Sequence, residues 1–125
     1  MDEIIGQGER LATKLLSQLF KEVKTQVPLS TLLEPSLYKE MGSRALKETL
    51  DIVVYRPKPL VVRIQDDRHK TKAFGIVDNR QRWELEASGC DVVDVWKEDC
   101  PRLFEEKKID ASMEELKRVL RNYLD

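Results

Sequence analysis

The chain is short of the residues that usually hold small sites together. Among its 125 residues there is one histidine, His69, and there are two cysteines, Cys90 and Cys100. A structural zinc needs about four nitrogen or sulfur ligands, which this inventory does not supply. A single pair of cysteines is no disulfide scaffold, and in a reducing compartment two free, partly buried thiols are expected. Long hydrophobic runs are missing as well, since no apolar stretch approaches the roughly 20 residues of a membrane span. The opening MDEIIGQGER carries acids and lacks the basic segment of a signal peptide. A cytoplasmic protein with no membrane partner is the expectation. Neither sign of charge dominates: charged residues make up 36% of the chain, yet the formal net charge is -1. Any basic footprint for nucleic acid must therefore be local. There is no internal repeat and no low-complexity segment.

What the chain does have is core material. Hydrophobic residues make up 41%, enough for one domain over residues 1–125 built on one core. Apolar residues recur at three- and four-residue steps from Glu3 to Phe20, which predicts an amphipathic helix. Lys21 to Val27 alternates, with Val23 and Val27 as candidates for one face, and predicts an outer strand, which Pro28 should end. Leu29 to Leu33 is a loop or short helix, and Pro35 to Met41 a second short helix or turn before Gly42 and Ser43.

The organising stretch is Leu50 to Asp67, LDIVVYRPKPLVVRIQDD. Leu50 to Tyr55 is a nearly continuous apolar run, the pattern of a strand covered on both faces. Two prolines in Arg56-Pro57-Lys58-Pro59 force a turn. Leu60 to Gln65 then forms the second strand of an antiparallel hairpin. Asp51 opens the first strand, and Arg63, Gln65, Asp66 and Asp67 close the second. Ala73 to Ser88 predicts a helix with Phe74, Val77, Trp83, Leu85 and Ala87 inward, stopped by Gly89. Trp83 and Trp96 are assigned to the core rather than to base stacking. Val92 to Trp96 predicts a further strand, followed by a capping turn from Glu98 to Phe104. A last helix, capped by Asp110 or Ser112, runs to Tyr123. The expected fold is α/β: a small mixed sheet flanked by helices.

This order, with QVPLSTLLEP, ALKETLDIVVY, PLVVRIQDDRH and FGIVDNRQRWELEASGCDVVDVW upon it, resembles the PD-(D/E)XK nuclease superfamily. The likeness is to its short single-domain members of the very-short-patch-repair type, and it covers about residues 20–101. It implies a restriction-endonuclease-like fold and DNA as partner. It also implies phosphodiester hydrolysis assisted by magnesium, which neutralises the scissile phosphate and activates a water. Carboxylates on adjacent strands suit that ion. By resemblance Asp51 is the first metal ligand, the second acid falls at position 63 and the lysine at position 65.

Here the chain departs from the pattern. Arg63, a cation, stands where a ligand belongs, and Gln65 stands where lysine is usual. Asp66 or Asp67, or Glu48 from the neighbouring strand, is the candidate second ligand. Alternatively, Arg63 pairs with Asp51 and the domain binds DNA without cutting it. The catalytic candidates are thus Asp51, Arg63, Gln65 and His69, and the metal candidates Asp51 and Asp66. Arg68, Lys70, Lys72, Arg80 and Arg82 form a candidate phosphate-contacting rim. Asp78 and Arg82, four apart, equally suit a helix ion pair. Whether the chain is an enzyme stays open. The alternative function is a scaffold that uses the fold for protein association, a homodimer included.

Overall fold

The computed structural model describes residues 9–36, 39, 48–65, 72–102 and 109–124, with side chains described for all of these except 72–78 and 109. The first helix, α1 (Glu9–Leu19), buries Leu11, Ala12, Leu15 and Leu16. That one-sided spacing is what an amphipathic helix places against a sheet. The predicted helical residues before Glu9 lie outside the described part. Strand β1 (Val23–Pro28) follows, then a short 3-10 helix over Leu29–Thr31. Strands β2 (Thr49–Val54) and β3 (Leu60–Gln65) form the expected hairpin. Helix α2 (Lys72–Ala87) leads to β4 (Asp91–Trp96), and α3 (Ile109–Val119) closes the order before a 3-10 turn over Arg121–Tyr123.

The sheet has the order β1-β2-β3-β4. The first two pairings are antiparallel, with Val23 opposite Val54 and Ile52 opposite Val62. β3 and β4 are parallel, with Leu60 opposite Asp91 and Arg63 opposite Asp94. Parallel neighbours need a long crossover, and α2 provides it. The chain is therefore an α/β domain: a four-stranded mixed sheet with flanking helices. All six residues of β3 are buried, as an interior strand covered on both faces requires. Among the described residues no helix is long and apolar enough to cross a membrane.

Alternation along the strands divides the core in two. Ile52, Val54, Leu60, Val62, Ile64, Val93 and Val95 meet the buried side of α1 together with Leu116 of α3. Val53, Val61 and Val92 meet Leu85 of α2 on the other side, with Val27, Leu29 and Leu33. In β1, Gln26 has a left-handed backbone, φ 51. Such a residue re-aims the chain, and on either side of it Val23 and Val27 serve different layers instead of one face. Pro28 does not end the pairing but closes it, opposite Thr49.

Helix α2 requires two corrections. Trp83 is 61% exposed and Ala87 is exposed, whereas Leu85 is fully buried. Residues two apart on a helix point about 200° apart, so Trp83 and Leu85 cannot both face the sheet. The buried line runs through Glu84 and Leu85 instead. Trp96 is half-buried. Phe74 and Val77 lie where side chains are not described. α2 ends on Gly89, φ 90, with Cys90 N–H donating to Leu85 C=O at 3.0 Å and Gly89 N–H to Glu86 C=O at 3.1 Å. This is a Schellman cap, and Leu85 and Cys90 supply its apolar contact. Ser112 lies inside α3 rather than at its cap, while Asp110 occupies the first turn, where an acid favours the helix dipole.

Candidate functional site

The polar end of β3 faces α2. Alternation puts Arg63 and Gln65 on the same side as Val61, and β4 puts Asp94 on the same side as Val92. The parallel register sets Arg63 directly beside Asp94. Arg63 is 5% exposed and Gln65 2%, so both polar groups need partners in the interior. Arg63 grips the Asp94 carboxylate with a fork, Nε to Oδ1 at 2.7 Å and Nη2 to Oδ2 at 3.0 Å. Its Nη1 donates to Gln81 Oε1 at 3.3 Å, and Gln81 Nε2 donates to Glu48 Oε1 at 3.3 Å. Gln65 Nε2 donates to Asp94 Oδ1 at 2.9 Å. Arg82 brings a second guanidinium, Nη2 to Asp94 Oδ2 at 2.6 Å, while its Nη1 donates to Val92 C=O at 2.9 Å.

Asp94 is thus the hub, holding two arginines and a glutamine between β3, β4 and α2. Burial by itself would push its carboxyl pKa up, but the hydrogen bonds from Arg63, Gln65 and Arg82, with the charge of Arg63, reverse that and hold it below the usual carboxylate range. A low pKa and this many donors make Asp94 a fixed anion and a poor proton acceptor. Asp51 is also committed, its Oδ2 accepting the Ile64 N–H at 3.1 Å. It sits at the end of the β2–β3 ladder, one step beyond the Ile52–Val62 pair.

The described residues do not fit a magnesium site. The Asp94 carboxylate is gripped by guanidinium groups, the Arg63 cation lies beside it, and Asp51 holds a backbone N–H. Among the described residues no three His, Cys, Asp or Glu side chains converge on one point. The other metal candidate, Asp66, lies outside the described residues, as does Asp67.

Of the candidates from sequence, the fold brings Asp51, Arg63 and Gln65 to one end of the sheet, with Glu48 reached through Gln81. His69, Arg68 and Lys70 lie outside the described residues. Lys72 begins α2, and its side chain is not described. Arg80 is exposed on α2. Arg82 turns inward to Asp94 at 2.6 Å, with Glu86 at 3.8 Å, and so clamps helix to sheet. Two residues of the cluster escape sequence reasoning, Asp94 and Gln81. The signal for Asp94 is an acid between Val93 and Val95 in an otherwise apolar strand, since a buried acid must be paired. Gln81 carries no such signal. In comparisons with protein-family models, curated proteins and solved structures, the chain matches none.

Proposed function

We propose that the chain is a nuclease-like DNA-binding domain, of restriction-endonuclease-like type, whose metal-dependent cleavage is weak or lost. One observation carries this: the position where the resemblance expects the second metal-binding acid holds a buried arginine committed to Asp94. A cation there repels a divalent ion, and here it is also part of the packing between sheet and helix. The element order from α1 to β4 is the order on which the resemblance rests. DNA as partner rests on the cations between β3 and the middle of α2, namely Arg68, Lys70, Lys72 and Arg80. A cytoplasmic location belongs with the same proposal.

The test has two arms. Purified protein is incubated with plasmid and linear DNA in magnesium, in manganese and in EDTA, beside Asp51→Ala. Cleavage no greater than that of Asp51→Ala is expected. Robust metal-dependent cutting lost in Asp51→Ala would show an active enzyme and overturn the loss of catalysis. In the binding arm, affinity should fall steeply with salt and need no metal. Failure to bind any DNA at low salt would reject the DNA reading and favour a scaffold role.

A further inference from the structure

Trp83 is the exposed large hydrophobic residue of the described chain. A lone surface hydrophobe is ordinary, but its neighbour is informative. Arg80 lies three residues back, one turn away on the same side of α2. It is exposed, and among the described residues it makes no hydrogen bond, ion pair or ring contact. Arg56, Arg63 and Arg82, by contrast, are each held by an aspartate. Asn79, also exposed, completes the turn. This side points away from the sheet, because Glu84 and Leu85 are the buried residues of that turn.

An open indole face and an open guanidinium one turn apart match the two parts of a nucleotide. The indole stacks on a base, and the fork takes the phosphate beside it. A base inside a duplex already has both faces covered, so the matching ligand is single-stranded. Charge gives the platform a direction. Glu86, on the C-terminal side of Trp83, is exposed and lies 3.8 Å from Arg82. The phosphate is therefore favoured on the Arg80 side, away from Glu86.

We propose that the outer face of α2 is a stacking platform for single-stranded DNA, with Trp83 carrying a base and Arg80 the adjoining phosphate. This rests on the DNA-binding proposal above and goes beyond it by naming the strandedness and the contacts. The protein holds two tryptophans, so Trp96→Phe leaves Trp83 as the reporter. Titrating that variant with oligo(dT) at low salt should quench its fluorescence saturably. Should it fail to fold, wild type compared with Trp83→Phe supplies the same difference.

In parallel, anisotropy of labelled single strands and duplexes is measured on wild type, Trp83→Ala, Trp83→Phe and Arg80→Ala. Trp83→Ala should weaken single-strand binding about tenfold or more and leave duplex binding unchanged. Trp83→Phe, which keeps a ring, should retain most of it. Arg80→Ala should lower the salt slope by about 0.7. Single-strand binding by Trp83→Ala equal to wild type overturns the platform and leaves the DNA-binding proposal standing. No DNA binding by wild type overturns both. A wild-type dimer that becomes a monomer in Trp83→Ala gives this face to a second copy of the chain and overturns the platform.

Discussion

Removing the guanidinium of Arg63 would take from the Asp94 carboxylate two of its four side-chain hydrogen bonds. Breaking one member of a buried ion pair is far more damaging than never having built it, because an uncompensated charge stays behind. Arg63→Met should therefore destabilise the fold by about 3 kcal/mol in urea denaturation. Arg82→Ala, at the more exposed side of the same carboxylate, should lose about 1.5 kcal/mol. The Asp94 pKa also gives a pH test. Its folded value lies below the ordinary one, so its contribution is present above the unfolded pKa and is lost as pH falls through the folded value. The stability gap between wild type and Asp94→Asn should be flat from about pH 7 to pH 5 and shrink below about pH 4. A gap that widens in acid would contradict the assignment of Asp94 as the anion of the cluster.

Among the elements, the end of α2 is the simplest to test. Gly89 has φ 90, and a Cβ added there would meet no atom within 4 Å. The whole effect of Gly89→Ala is then backbone strain, about 1 to 2 kcal/mol. A stabilising Gly89→Ala would mean that the Schellman cap does not form in solution. The turn between β2 and β3 is pinned differently. Asp91 at the start of β4 takes Arg56 at 2.6 Å and Lys58 at 3.2 Å. These groups are partly solvated, so Asp91→Ala should cost well under the loss at Arg63, about 1 kcal/mol. The hairpin was legible because prolines forbid ladder positions, and the end of α2 was legible because glycine alone takes that φ freely. The inward face of α2 was not. Its polar residues Gln81 and Arg82 serve the buried cluster, so its hydrophobic periodicity is blurred where the periodicity was needed.

At the scale of the whole molecule, the two thiols report on intact packing. Cys90 and Cys100 are free and buried, one in each half of the core. Burial first, and then the charges of Glu115 and Asp99, push the Cys100 pKa up to about 12. Burial and Asp91 raise that of Cys90 as well. Only the thiolate attacks, so both should be inert to a thiol reagent at pH 8 in the folded protein. Both should react together once the chain unfolds. Fast labelling of one alone would show that one side of the sheet opens independently of the other.

By itself the sequence determined the element order, the hairpin with its turn, and the end of α2 at Gly89. Those follow from periods of two and of about 3.6 residues and from proline and glycine, all of which are local. It also placed Arg63 where an acid was expected. What Arg63 does there was decided by tertiary structure alone. Its partner Asp94 lies on a strand that becomes its neighbour only after a helical crossover, and pairing at that distance along the chain leaves no local period. The same crossover turned Arg82 inward and Trp83 outward, one residue apart, because a helix can offer the sheet only one side.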